Sequence, residues 1–194
     1  MTRSRRNDPT GWLASVFAIV SFAIGTSTGA QEAPPAPQPT EQHQLLKNDV
    51  GNWDGTMKLW HAPGKEPTTS QCTEKVELFP GGMWIVSRFE GTFAGTPFTG
   101  VTLFGYDPIE KKYVGTWIDS FSPHLQPIRG DYDPATKTMT SIAENRDPAT
   151  GKTINYKEIA RTIDANTRTF EMHLPDEKGN YRKIMEIEYK RRAE

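Results

Sequence analysis

The segment from residue 98 to residue 121 has the sequence FTGVTLFGYDPIEKKYVGTWIDSF, in which a short turn separates two runs of alternating side chains. Each run is enriched in β-branched and aromatic residues and alternates between two faces, which is typical of half-buried strands. The turn contains Tyr106-Asp107-Pro108, where the Asp side chain accepts hydrogen bonds from the backbone ahead and Pro fixes φ. Because the link is short, the segment predicts two neighbouring antiparallel strands.

Similar turns recur along the chain. Asp-Pro-Ala-Thr occurs twice, at Asp133 and at Asp147, and Ile163-Asp164-Ala165 is a related turn. About ten strand-like runs surround these turns, over residues 51–61, 70–79, 83–93, 98–106, 113–121, 128–132, 137–144, 153–163, 169–174 and 181–190. A meander of this length must cover its two edges, and closing into a barrel does so. The sequence therefore predicts an all-β fold, a single antiparallel up-and-down barrel, with a two-sheet sandwich as the alternative.

The N-terminal residues 1–30 have the features of a secretory signal peptide. Three arginines precede an apolar stretch over 11–25, and small residues up to Ala30 follow as a cleavage site. The apolar stretch is short for a membrane span, which needs about 20 residues, so an uncleaved anchor is the alternative. We expect a periplasmic or secreted protein, without a stable transmembrane span in the mature chain.

Residues 31–42 form a proline-rich linker before a barrel domain over 43–192. A short helix is predicted over 40–49, with Thr40 as its N-cap. The net charge of the 194 residues is -1, which argues against general nucleic-acid binding. Cys72 is the only cysteine, so an internal disulfide is excluded, and no two histidines have the close spacing of a zinc pair. We predict no metal site.

Gly51-Asn52-Trp53 follows the predicted helix and resembles the Gly-x-Trp start of lipocalin-type barrels. In those barrels the Trp closes one end and packs against a basic residue near the end of the barrel. The resemblance implies that Trp53 has this closing role. Lys190, Arg191 and Arg192 are the candidate basic partners, and Arg191 is the one that we predict.

A wider resemblance covers nearly all of residues 43–192. The segments that carry it, in order, are 50–55 (VGNWDG), 81–84 (GGMW), 105–107 (GYD) with 112–114 (KYV), 117–120 (WIDS) and 185–189 (MEIEY). On these segments the chain is identified as a member of an uncharacterised bacterial family, domain of unknown function 1579. The resemblance implies a lipocalin-like barrel. It brings no established activity, so it assigns no catalytic residue.

Within the strand over 113–121, alternate residues place Trp117 and Asp119 on one face. If that face points inward, Asp119 is desolvated among aromatic side chains, which would raise its pKa and suit a general acid or base. The alternative is a structural acceptor near the barrel mouth. His124 lies just beyond this strand, so an Asp119–His124 acid–base pair is an enzyme hypothesis, against a solvated loop histidine. Ser120 lacks the context of a nucleophile elbow, which argues against a triad.

Arg88 could bind a ligand carboxylate if it points inward, and otherwise forms a surface ion pair. Aromatic residues of neighbouring strands could line the barrel beside it. The candidate ligand-binding residues are Trp84, Arg88, Phe104, Trp117, Asp119 and His124.

Three functions remain open. The first is an exported barrel that binds a small apolar or amphipathic molecule, with haem held by a single His as a possible cofactor. The second is an enzyme acting on a small substrate through Asp119 and His124. The third is a structural envelope protein whose barrel is filled by its own side chains. Strand number alone does not separate a packed interior from a cavity for one ligand.

Overall fold

The structure, a computed structural model, describes residues 36–147 and 150–193. The predicted signal peptide over 1–30 and the first five residues of the predicted linker lie outside the described residues. No helix in the described part of the chain is long and apolar enough to cross a membrane.

A short helix precedes the first strand. Helix α1 spans Glu41–Leu46 and continues as a 3₁₀ turn over Lys47–Asp49, so the last two residues of the predicted linker are helical. The backbone amide of Thr40 donates a hydrogen bond to Nδ1 of His43 (2.9 Å), which satisfies a donor at the helix N-terminus. The predicted N-terminal helix is confirmed.

Ten strands follow and form one closed antiparallel barrel, in which each strand pairs with its neighbours in sequence and the last strand pairs with the first. The strands are β1 Gly51–Leu59, β2 Thr68–Leu78, β3 Trp84–Phe93, β4 Thr96–Asp107, β5 Lys112–Asp119, β6 Ser122–Asp133, β7 Thr138–Arg146, β8 Thr153–Asp164, β9 Thr167–Pro175 and β10 Tyr181–Arg191. The predicted barrel is confirmed, and the pairing of β1 with β10 excludes the sandwich.

Strand β6 differs most from its prediction, because it begins six residues before the predicted 128–132. Pro123 and Pro127 lie in this added part, and proline is rare inside strands since it cannot donate a ladder hydrogen bond. Pro127 is tolerated opposite Thr116, close to an irregularity between Trp117 and Asp119 in the β5–β6 pairing. The two prolines explain why the first six residues of β6 were not predicted as a strand.

The buried core gathers where α1 lies against the barrel. Helix α1 buries His43 and Leu46. The His43 ring meets the edge of Tyr106, with 5.7 Å between ring centroids, and the Tyr113 hydroxyl donates to the backbone carbonyl of Gln42. We call the end of the barrel against which α1 lies the closed end. The other end, called the open end, carries five connections: β1–β2, β3–β4, β5–β6, β7–β8 and β9–β10.

Candidate functional site

Trp53 is 2% exposed and lies at the closed end. Its indole N–H donates a hydrogen bond to the backbone carbonyl of Asp49 (2.8 Å). The guanidinium of Arg191 lies 4.1 Å from the centroid of the Trp53 ring, which is a cation–π distance. Arg191 also donates to the carbonyl oxygens of Asn48 and Val50. It therefore ties the end of β10 to the segment that enters β1, and this is the contact that the Gly-x-Trp resemblance implies.

A second arginine at the closed end was not predicted from the sequence. Arg168 lies 4.3 Å from the centroid of Trp53 and 4.8 Å from that of Tyr189. Its guanidinium forms ion pairs with Glu74 (2.7 Å) and Asp49 (3.1 Å). Burial raises the pKa of Asp49, while Arg168 acts in the opposite direction. The charged groups here satisfy one another, so the closed end is a structural plug.

Two of the predicted ligand-binding residues lie outside the barrel, so their prediction as lining residues is wrong. In β3 it is Ile85, Ser87 and Phe89 that are buried, which places the alternate residues Trp84 and Arg88 on the outer surface. Arg88 is exposed.

Trp84 covers Gly105 on that outer surface. A Cβ at Gly105 would lie 2.4 Å from the Trp84 indole, so the close packing requires glycine. Trp84 therefore stabilises the outer wall and does not line the interior.

Phe104 and Trp117 do face the interior. Phe104 stacks on Tyr113 with 6.0 Å between centroids, and it belongs to the packing near the closed end. Trp117 lies farther toward the open end, where its ring covers Gly100 on the neighbouring strand β4. Of the two, Trp117 is placed to contact a molecule that enters through the open end.

Asp119 is the hydrogen-bond hub of the β5–β6 turn. One carboxylate oxygen accepts from the backbone amides of Phe121 and Ser122, both at 2.8 Å. The other accepts from the indole N–H of Trp117 (2.8 Å) and the side-chain amide of Gln126 (3.2 Å). With four donors in place, Asp119 orders the turn and fixes Trp117, as the structural alternative states.

His124 is exposed, and its backbone amide donates to the hydroxyl of Ser122 (3.2 Å). In the described part of the chain, no hydrogen bond joins its ring to Asp119. The predicted acid–base pair therefore does not form in this structure.

Aromatic side chains form a continuous column from the rim of the open end into the barrel. Phe93 and Phe121 are 37% and 51% exposed at the rim. Phe98 contacts both of them, with centroids 6.2 and 5.2 Å away, and stacks on Trp117 at 6.2 Å. Phe89 is buried beneath, 5.9 Å from Phe98. We call these five residues the aromatic column.

The opposite wall of the barrel has a different character. In a closed ring of ten strands, β8 and β9 lie across from β3 and β4. The inward-facing residues of β8 and β9 toward the open end are half-buried, whereas those of β1 are buried. The half-buried residues, which we call the lumen wall, are Ile154, Tyr156, Glu158, Met172 and Leu174.

Glu158 is the charged group of the lumen wall. It lies between Ser141 of β7 and Met172 of β9 in the sheet register. The Ser141 hydroxyl donates to Oε2 of Glu158 (2.9 Å). Part of the side chain is reachable by solvent, but protein surrounds most of it, and this burial raises the pKa of Glu158 to about 7. The site thus combines apolar surface with one carboxyl that changes charge near neutrality.

Alternation could not reveal Glu158, because both faces of β8 mix polar and apolar residues. Ile154 and Tyr156 share its inner face, while Ile159 and Ile163 lie on the outer face. Only the pairing of β8 with β7 and β9 in the closed barrel identifies which face of β8 points inward.

The described residues contain no group of three or more His, Cys, Asp or Glu side chains placed to hold a metal ion. Each histidine lies away from the lumen wall. His43 is buried under α1, His61 contacts Thr68, and His173 lies 2.9 Å from Glu171 on the outer surface. The haem hypothesis therefore gains no ligand from the lumen wall.

The fold and the interior define a lipocalin-like up-and-down barrel that is plugged at one end. Over residues 38–191 the chain matches the model of the family described as "Protein of unknown function (DUF1579)", and it belongs to that family. Among curated proteins, none matches the chain.

Two solved structures show the same architecture. One is Rv2717c from M. tuberculosis, with a TM-score of 0.57 and 10% identity over 79% of this chain and 99% of that one. The other is the S-type phycobiliprotein lyase CPES from Guillardia theta, with a TM-score of 0.51 and 11% identity over 80% of this chain and 99% of that one. At these identities the likeness concerns the fold alone.

Proposed function

We propose that this protein is an exported barrel that binds a small amphipathic molecule in its lumen. The observation that carries the proposal is the half-burial of the inward-facing residues Met172 and Leu174. Apolar side chains inside a filled barrel would be buried, as Trp53 and Met57 are on β1 of the same barrel. Accessible apolar surface in an interior is the usual lining of a ligand site.

The aromatic column supplies the second wall of this site. It rises from the buried Phe89 to the exposed rim residues Phe93 and Phe121, so that an apolar molecule would contact aromatic rings from entry onward. The carboxyl of Glu158 on the opposite wall adds a polar contact. An apolar body with one polar group matches this pair of walls.

A lumen-filling substitution tests the proposal. Ala160 faces inward on β8, opposite Met139 of β7 and Phe170 of β9, whereas Ile159 beside it faces outward. In Ala160→Trp the indole would occupy lumen space, and we expect binding of the neutral fluorescent probe N-phenyl-1-naphthylamine to fall at least tenfold. Ile159→Trp adds the same side chain outside and should leave binding unchanged.

The same pair of variants separates a hollow barrel from a filled one. A filled interior has no room for the added indole, so Ala160→Trp would lose about 1–3 kcal/mol of stability through overpacking, and the wild type would not bind the probe. That combined result would favour the structural envelope protein instead.

Export is the other part of the proposal, and it rests on residues 1–30. We expect protein recovered from the periplasm or the medium to have the intact mass of residues 31–194, with cleavage after Ala30. A mass that retains residues 1–30 in a membrane fraction would favour the uncleaved anchor.

A further inference from the structure

We propose that Glu158 and Ser141 anchor the ammonium group of an amphipathic amine, whose apolar part occupies the lumen between the lumen wall and the aromatic column. This inference rests on the proposed function and adds the chemical class of the ligand.

The geometry leaves half of the carboxyl unused. Ser141 donates to Oε2, and this is the one hydrogen bond that the Glu158 side chain makes in the described part of the chain. In the described residues, two fully buried side-chain polar atoms lack a hydrogen-bond partner, Oγ1 of Thr116 and Nε of Arg168. Oε1 of Glu158 is not one of them, so this oxygen is reachable from the lumen. Oε1 is thus available to a donor that arrives in the lumen.

No protein cation faces Glu158 from the strands beside it. The inward-facing residues of β7 are uncharged: Met139, Ser141, Ala143 and Asn145. On β9 the inward-facing charged residue is Arg168, which is held at the closed end by Glu74 and Asp49. Tyr156 is the other inward titratable group on β8 itself, and burial raises its pKa as well.

A carboxylate that is surrounded by protein and has no cation beside it is costly to ionise. The raised pKa of Glu158 agrees with this arrangement, because burial is its largest cause and no neighbouring cation opposes it. A ligand ammonium would supply the missing positive charge and donate to Oε1, and the hydroxyl oxygen of Ser141 could accept a further N–H. Arg182 of β10 pairs with Leu174 and shares its inward face, but no ion pair joins Arg182 to Glu158 in the described residues. At Glu158 itself a ligand carboxylate would be repelled.

Three probes with the same apolar chain separate the anchor from the lumen: dodecylamine, dodecanol and dodecanoate. They are titrated calorimetrically at pH 8, the two ionic probes below their micellar concentrations and dodecanol below its solubility limit. Dodecanol reports the apolar lumen, and the amine-to-alcohol affinity ratio reports Glu158. We expect wild type to bind the amine at least tenfold more tightly than the alcohol, and dodecanoate most weakly. Charge-assisted hydrogen bonds of this kind are worth about ten- to hundredfold in affinity.

Glu158→Gln should remove that preference by lowering amine affinity about ten- to hundredfold while dodecanol binding stays unchanged. Ser141→Ala should lower amine affinity less. The matched control is Glu144→Gln, which neutralises an exposed glutamate on the outer face of β7, and it should change nothing. At pH 5, where Glu158 is protonated, wild type should lose its preference for the amine.

Equal affinities of wild type for amine and alcohol would overturn the anchor, as would a preference that survives in Glu158→Gln. If that variant does not fold, the pH 5 titration of wild type gives the same decision. Binding of none of the three probes would instead contradict the proposed lumen site itself.

Discussion

Glu158 carries a cost of ionisation that the folded barrel imposes and the unfolded chain does not. Its pKa is about 7 in the fold against an ordinary value of 4.5. Between these values the folded state holds a proton that the unfolded state has released, so the free energy of unfolding falls as pH rises from about 4.5 to 7. The loss is about 3 kcal/mol at most.

We therefore expect urea denaturation of wild type at pH 5 and at pH 8 to show less stability at the higher pH. Glu158→Gln cannot ionise, so its stability should change less between the two pH values. Glu144→Gln should follow wild type. A variant Glu158→Gln with the full pH dependence of wild type would show that other groups cause it.

The hydrogen bonds of Asp119 predict that its substitution destabilises the barrel. Asp119→Asn exchanges one acceptor oxygen for a donor NH₂, which then meets N–H donors such as that of Trp117 or Phe121. Unsatisfied groups of this kind cost about 1–3 kcal/mol, so the urea midpoint should fall. His124→Ala should leave stability unchanged, since the ring is exposed. A loss of stability of similar size in His124→Ala would contradict the purely structural account of this turn.

Sequence periodicity placed Trp117 and Phe104 inside the barrel but failed at Trp84 and Arg88. The start of β3 has large apolar residues on both faces, Trp84 and Val86 on one and Ile85 on the other. A shift of one residue exchanges the faces of a strand, so such a segment does not reveal its inner side. The register of β3 against β4 is set by pairs such as Phe89 with Gly100. This pairing forms only in the folded barrel.

Among the elements, the closed end depends on contacts between segments far apart in sequence. Removing the cation in Arg168→Met leaves Glu74 and Asp49 with negative charges in a buried site. Breaking a buried pair in this way costs about 3–5 kcal/mol, so we expect a large drop in the denaturation midpoint.

Arg192→Met is the matched control, because Arg192 and Asp54 form an exposed ion pair. Such pairs contribute about 0–1 kcal/mol, so this variant should unfold close to wild type. Equal losses in the two variants would mean that Arg168 does not hold the closed end.

The contact between Trp53 and Arg191 could be predicted from the sequence, because in barrels with a Gly-x-Trp start the Trp packs against a basic residue near the end of the barrel. Arg168 had no comparable signal. Its partners Asp49 and Glu74 lie more than ninety positions away in the sequence, and only closure of the barrel brings them together. The same reasoning applies to Glu158 and its partner Ser141, which meet through the β7–β8 register.

For the barrel as a whole, turn chemistry and alternation are sufficient to predict the up-and-down meander. Its closure follows from the need to cover two sheet edges. Whether the interior is open depends on how closely side chains from opposite walls approach one another. The sequence does not reveal the distance between those walls. Half-burial on β8 and β9, against burial on β1, is the structural observation that favours an accessible lumen.

A native mass spectrum of the protein purified from its own periplasmic extract tests whether the lumen holds a small molecule. We predict an added mass in the native spectrum that is lost on denaturation, and that is absent when Ala160→Trp is purified in the same way. A native mass equal to the denatured mass, together with no binding of N-phenyl-1-naphthylamine or dodecanol, would contradict the claim and identify the interior as packed.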